Sequence, residues 1–299
     1  PIPAVPTMTV GTSTDSSVTV TWNTVSGASY KIYSSTTSPV STSDNQTITT
    51  GNSHTVSGLT TGDTLYFAMI SENSIGQSSG VLSNEVSAMA VPLAPRTLVA
   101  TPDPDGKKIN LSWGTTPGAN GYKVYLKTGT HSAVSTSDSL VKDTTSTIAT
   151  ITALNIGEKG TFGVLAYNAG GNSGWSNIEV VQPLPRQPTI STPIDVSQPG
   201  KATFTWNNNN GVDTFNIYQV LTATSSNPEI DGALIATVSG SVTTYTDSGF
   251  PNYNVAYTYA VIGNNASGSS KVSNKPTAIP VDPAWQTLTM EGLISYEPQ

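Results

Sequence analysis

Val18-Thr19-Val20-Thr21-Trp22 returns as Ile109-Asn110-Leu111-Ser112-Trp113 and again as Ala202-Thr203-Phe204-Thr205-Trp206. Each run has strand-like alternation and ends on tryptophan. The tryptophans, at 22, 113 and 206, stand 91 and 93 residues apart. A period of about ninety residues is too long for a solenoid repeat and suits a small β-sandwich, so the chain reads as a tandem array of three.

Working outward, a proline opens each copy at Pro6, Pro95 and Pro188, where it ends a linker and starts an edge strand. After each tryptophan comes an aromatic strand: Tyr30-Lys31-Ile32-Tyr33, Tyr122-Lys123-Val124-Tyr125 and Phe215-Asn216-Ile217-Tyr218. Ile32, Val124 and Ile217 are expected in the core with the aromatics flanking the sheet; the facing reverses if the aromatics take the core. A third strand is read at Leu65–Ile70, Thr161–Ala166 and Tyr257–Ile262, running into turns at Asn73, Asn168 and Asn265. The last strand is expected to start at Ser83-Asn84, Ser176-Asn177 and Ser273-Asn274. Short β-branched and aromatic runs broken by Gly, Asn, Ser and Pro predict an all-β chain without an amphipathic helix.

These residues, with the corner Gly58-Leu59-Thr60-Thr61-Gly62 and Ser83-Asn84-Glu85-Val86, give the chain its resemblance to bacterial fibronectin type III domains over residues 1–281. The resemblance implies three tandem immunoglobulin-like β-sandwiches, at 1–92, 93–184 and 185–281, with a short C-terminal extension at 282–299. It also implies a tyrosine about six residues after the corner leucine that bonds back across the turn. Leu65, Gly160 and Tyr257 hold that place, so the third copy alone is expected to keep the bond, with Tyr66 a neighbouring substitute in the first. The first two copies share Val-Ser-Thr-Ser-Asp at 40–44 and 134–138, and read as closer duplicates. The linkers Ala90–Pro95 and Gln182–Pro188 are proline-rich and semi-rigid. Three sandwiches of roughly 35–40 Å predict a rod on the order of 100 Å.

Charged residues make up 10% of the chain against roughly 25% in typical soluble proteins, and the net charge is −7. Scattered basic residues and an acidic balance argue against nucleic acid. No window has the length of a membrane span. Cysteine is absent, which removes disulfides, thiolate nucleophiles and cysteine-ligated metals. A first residue that is proline fits an exported chain without its leader, or a fragment, better than an intact cytosolic one.

His54 and His131 fall in different copies and at different strand positions, so neither a Ser-His-Asp set nor a metal cluster is read. Asp103 and Asp105, and Glu229 and Asp231 before Gly232, read as turns; Asn207–Asn210 reads as a polar loop. No catalytic residue, cofactor or metal site is expected. Trp175, in the loop before the last strand of the second copy, is the candidate glycan contact, with packing against its own sheet as the rival role. In the extension, Trp285, Leu288, Met290, Leu293, Ile294 and Tyr296 are candidate anchors for docking onto a sheet edge, in the same chain or another. The leading functional expectation is a non-catalytic extracellular or cell-surface structural protein, a rod whose partner is a copy of itself or another surface component. The alternatives are an adhesin or carbohydrate-binding accessory region of a secreted enzyme, and a phage virion decoration or tail component.

Overall fold

The alternation around each tryptophan is realised as antiparallel sheet. The computed structural model describes residues 1–78, 80–104, 106, 108–155, 157–207 and 211–284. The first module holds β1 (Met8–Ser13), β2 (Ser17–Trp22), β3 (Ser29–Ser35), β4 (Asn45–Thr49), β5 (Ser53–Ser57), β6 (Thr64–Asn73), β7 (Gly76–Gln77) and β8 (Val86–Met89). The second holds β9 (Val99–Pro102), β10 (Ile109–Ser112), β11 (Gly121–Thr128), β12 (Ser139–Thr144), β13 (Ile148–Ile151), β14 (Gly160–Asn168), β15 (Gly171–Trp175) and β16 (Glu179–Val181). The third holds β17 (Ala202–Thr205), β18 (Thr214–Leu221), α1 (Pro228–Asp231), β19 (Ala233–Ser239), β20 (Thr244–Asp247), β21 (Tyr257–Asn265), β22 (Gly268–Ser269) and β23 (Thr277–Ala278).

Each module pairs a small sheet with a larger one. The orders are β1-β2-β5 facing β4-β3-β6-β7, β9-β10-β13 facing β12-β11-β14-β15, and β17-β20 facing β19-β18-β21-β22. β8, β16 and β23 add to β6, β14 and β21. In the third module the first strand is reduced to the bridges Ile190↔Trp206 and Asp195↔Thr203. The chain is therefore all-β: three tandem fibronectin type III-like sandwiches.

A strand shows alternate residues to the same face, so Tyr30 shares the core with Ile32, Tyr122 with Val124, and Phe215 with Ile217. The expectation that these aromatics would flank the sheet is corrected for that position. Each meets its module's tryptophan edge to face, Trp22–Tyr30 and Trp113–Tyr122 at 5.5 Å and Trp206–Phe215 at 5.4 Å between ring centres. The flanking role belongs to Tyr33 and Tyr125, three residues on and so on the outer face. They join Val40 and Val134 in small outer clusters. The shared pentapeptide folds alike in both modules: the Asp44 and Asp138 carboxylates accept the N–H of Ser41 and Ser135, each at 2.7 Å. The third module replaces this loop with one turn of helix, α1, where a turn was expected; Pro228 at its start presets the backbone angle.

Ser83-Asn84 and its counterparts precede the last strand rather than begin it, because their side chains are committed elsewhere. Ser83, Ser176 and Ser273 hydroxyls accept the N–H of Met69, Val164 and Val261 in the large sheet, at 3.1, 3.0 and 2.9 Å. The neighbouring Asn84, Asn177 and Asn274 then copy a strand. Each accepts the N–H and donates to the carbonyl of Met8, Leu98 or Ile190 in the opposite layer, between 2.6 and 2.9 Å. The dipeptide clasps the two sheets at one edge.

Tyr257 donates to the Asn252 carbonyl at 3.0 Å, the bond expected of the third module alone. Tyr66 packs with the outer cluster instead. A different tyrosine serves the other modules: the Tyr30 and Tyr122 hydroxyls accept the N–H of Val25 and Thr116, at 2.7 and 3.0 Å, and Phe215 lacks the oxygen to do so. Tyr257→Phe should therefore cost the third module about 1 kcal/mol, read as a lower chemical-denaturation midpoint for its transition with the other two unchanged.

Candidate functional site

The two joints between modules are built to one plan, and its parts are side chains at the ends of strands. Asn168 closes β14 and Asn265 closes β21. Each amide reaches across the joint. Asn168 Nδ2 donates to the Ala90 carbonyl of the preceding module at 2.9 Å and to Gly118 of its own at 3.1 Å. Asn265 Nδ2 donates to the Pro183 and Gly211 carbonyls at 2.8 and 3.1 Å. Each amide oxygen accepts the N–H two residues on, Gly170 or Ser267, so the amide is fixed before it meets its partner.

The linker is held from its own side as well. Ala90 O accepts the Gly62 N–H at 3.1 Å, and the Val91 N–H reaches Thr14 O at 3.0 Å. Val91 and Leu184 lie over Gly171 and Gly268, where a Cβ would fall 3.5 and 3.1 Å from them; both glycines have positive φ. The modules touch through backbone: a Cβ on Gly118 would sit 2.9 Å from the Thr61 carbonyl carbon, and one on Gly170 only 2.2 Å from Met89 O. The second joint has Ser267 in the place of Gly170, and its hydroxyl accepts the Gln182 N–H at 3.1 Å.

The two joints of the middle module lie at opposite poles, since Asn168 and Gly160 end the same nine-residue strand, about 30 Å apart. Successive modules are joined end to end.

The linkers are the hexapeptides Ala90-Val91-Pro92-Leu93-Ala94-Pro95 and Pro183-Leu184-Pro185-Arg186-Gln187-Pro188, with every proline buried in each. Pro1-Ile2-Pro3-Ala4-Val5-Pro6 is a third copy, with Pro3 and Pro6 buried and Pro1 exposed. Asn73 Nδ2 donates to the Pro1 carbonyl at 3.0 Å, and Ile2 lies over Gly76. The spacing Pro-x-x-Pro ahead of each copy was the available signal for this. Beside Asn73, Lys31 and Glu72 pair at 2.7 Å, and that bond holds the Glu72 carboxyl below its usual range. The charges at this pole therefore compensate.

Beside the first joint lies a cleft of about 700 Å³, walled by the Ser13–Asp15 turn, the linker, Arg96, Asn172 and Trp175. Trp175 is half-buried. One face of its surroundings is the cleft and the other is the outer cluster, where its ring meets Tyr125 edge to face at 5.3 Å.

The remaining candidates are not brought together. His54 lies on β5 opposite Val20, where burial pushes its imidazole pKa down, and the His131 ring lies 2.9 Å from the Thr128 carbonyl. Asp103 O accepts the Gly106 N–H in a turn; Asp105 lies outside the described residues. Glu229 pairs with Lys275 at 2.6 Å and Asp231 accepts from Ser225 at 2.6 Å, bracing α1. Asn207 accepts the Thr189 N–H, while Asn208–Asn210 lie outside the described residues. So do Trp285, Leu288, Met290, Leu293, Ile294 and Tyr296. Among the described residues no group of three His, Asp or Glu could hold a metal ion, and no helix is long and apolar enough to cross a membrane.

Sequence reasoning missed a buried carboxylate. Asp247 accepts from Gln219 at 2.6 Å and Tyr259 at 2.8 Å inside the third module, and burial pushes the tyrosine pKa up. All three groups bond one another and are buried, so their role is to fix the core.

No family model matches the chain, and no curated protein is similar to it. Solved structures that match include the FN1–FN3 domains of chicken CNTN1, at 15% identity and a TM-score of 0.30, covering 94% of this chain and 100% of that one. A likeness that slight adds nothing to what the sheets themselves establish.

The joint gives a direct test. Gly170→Ala places a methyl against Met89 O, and the first two modules must part to admit it. Small-angle scattering should show a changed distance distribution while the melting of the separate modules stays within about 0.5 kcal/mol of the parent.

Proposed function

We propose that the chain is a non-catalytic structural protein of the extracellular space or cell surface, a rod that holds what lies at its two ends apart. The observation that carries this is the asparagine that bonds the linker behind it and its own module at once, built twice. A flexible tether needs no such thing. At the first joint a linker carbonyl is bonded by the module behind it and by the module ahead, while apposed glycines bring the two bodies to backbone contact. Each such bond contributes only about 1 kcal/mol, yet together with buried prolines they fix direction.

A surface solvated by hydroxyls and amides, with 10% charged residues and no cysteine, suits a chain that works outside the cell without covalent staples. Asp44, Asp138 and Asp103 serve turns, Glu229 and Asp231 brace α1, and Asp247 lies in a core, an arrangement that supports a mechanical role over a chemical one.

A compact chain of 299 residues has a radius of gyration of about 19 Å. Three sandwiches end to end, on the order of 100 Å long, give about 30 Å. Small-angle scattering of the purified chain should return the larger value; the smaller one rules out the rod.

The cleft at the first joint favours a second reading, carbohydrate binding by Trp175 against the linker. Trp175→Ala separates the roles. If the ring is only a packing group, the substitution costs the second module about 2 kcal/mol and a glycan array is blank for parent and variant alike. If it is a platform, the parent binds and the variant does not.

A further inference from the structure

We infer that the cleft beside the first joint is a site for a neutral saccharide, with one wall from each of two modules, and that its occupant holds the joint at its present angle. The inference rests on the carbohydrate reading of Trp175. It deepens that reading by naming the contacting groups, the class of sugar and the effect on the joint.

The second module departs from its neighbours, and the departures gather at this cleft. Between the buried proline and the residue that the clasp asparagine holds, the first and third modules have one residue, Thr7 or Thr189. The second has two, Arg96 and Thr97. Asn23 and Asn207 accept the N–H of Thr7 and Thr189, each at 2.6 Å, and Gly114 stands in their place in the second module without such an acceptor. The extra residue is absorbed at Thr97, whose φ of 54° is a conformation that β-branched residues seldom adopt. Strain of this kind persists where the surroundings enforce it, and it clusters at binding sites. Here the Gly114 N–H holds the Arg96 carbonyl at 2.9 Å, and Asn177 holds Leu98. β15 has five residues where β7 and β22 have two. It ends on Trp175, where the other modules have Leu82 and Val272.

These changes put a cation and an indole on the second module's wall of the cleft, together with Asn172. The first module's wall is the turn between β1 and β2, which carries Asp15. That turn is fixed by the Thr14 N–H on the Ser17 carbonyl at 2.7 Å. Arg96 and Asp15 line the cleft from different modules, yet no ion pair joins them, and among the described residues neither has an ionic partner elsewhere. Asp15 receives the Ser16 hydroxyl at 3.2 Å. The walls come from residues 13–15, 91–97, 172–175 and 177, so neither end of the chain takes part.

A pyranose fits this set of groups. Its C–H face packs on an aromatic ring, a carboxylate accepts its hydroxyls, and guanidinium and amide groups donate to its oxygens. The Trp175 ring is already braced edge to face by Tyr125, so little ordering is left for binding to impose. A volume of about 700 Å³ is that of an ordinary ligand site. The two charges offset one another within the cleft and the whole chain carries −7, which disfavours an anionic sugar.

A saccharide bonded to Asp15 and Arg96 at once touches both modules, and it does so only while the joint keeps its present angle. By linkage, the ligand favours that angle by the same factor as the angle favours the ligand. Filling the cleft therefore stiffens the rod at its first joint.

The test applies the full chain to an array of neutral gluco-, galacto-, manno- and xylo-oligosaccharides alongside uronate-bearing ones, then titrates the tightest neutral oligosaccharide by calorimetry. Asp15→Asn alters the first module's wall, Arg96→Gln alters the second's, and Gly170→Ala parts the modules without touching either. Unchanged unfolding curves show that each variant is folded. Each should weaken binding of the neutral oligosaccharide by about tenfold or more. Preference for the uronates, or any one of the three variants binding like the parent, overturns the two-walled neutral site. If binding is then still lost in Trp175→Ala, the carbohydrate reading stands and this inference alone fails; an array blank for the parent defeats both.

Discussion

An asparagine side chain at the end of the central strand is the interaction on which the architecture depends. A linker leaving one sandwich carries carbonyls that must find donors when the next module covers them, since a buried acceptor without a partner costs about 1–3 kcal/mol. Asn168 and Asn265 each give one amide group to two carbonyls, one in the module behind and one in their own. Orientation follows from satisfaction: the amide is flat, its oxygen is held by the next N–H in the turn, and its two donors point in fixed directions. A bend at the joint would break the asparagine's bond to the linker carbonyl while the bond within its own module stayed in place.

The rest of each module supports that strand end. The aromatic strand and the central strand pair over seven or eight residues, which makes the asparagine the terminus of the stiffest ribbon in its sandwich. The tryptophan and the ring beside it fill the core behind it. The Ser-Asn clasp ties the central strand to the first strand of the opposite layer, which is the strand that receives the linker. A continuous path thus runs from linker to first strand to clasp to central strand to asparagine.

The modules differ where this path does not run. The first two share a serine-rich turn and an outer cluster; the third has α1 braced by Lys275 and Glu229, and a buried Asp247 that the others lack. Such differences alter loops and inner polar contacts while leaving the poles alike. Trp175 belongs to this variable part, packing against the outer cluster on one side and lining the cleft on the other.

Local pattern by itself determined the three copies, the β class, and the strands around Trp22, Trp113 and Trp206, because period-two alternation and turn residues act over a few positions. It also located Asn73, Asn168 and Asn265, though only as turn formers. Which carbonyl each would reach was decided by tertiary structure, for Asn168 and Ala90 lie 78 residues apart and meet only when two modules abut. The same holds for the clasp, whose Ser83 and Asn84 look like the start of a strand until the opposite layer is in place. The facing of Tyr30 was settled by the period of the strand together with a core large enough to take the ring beside Trp22. Asp247 in its buried network had no local signature, since its partners Gln219 and Tyr259 come from two other strands. Sequence spacing fixes what lies on a strand; only packing fixes what stands across from it.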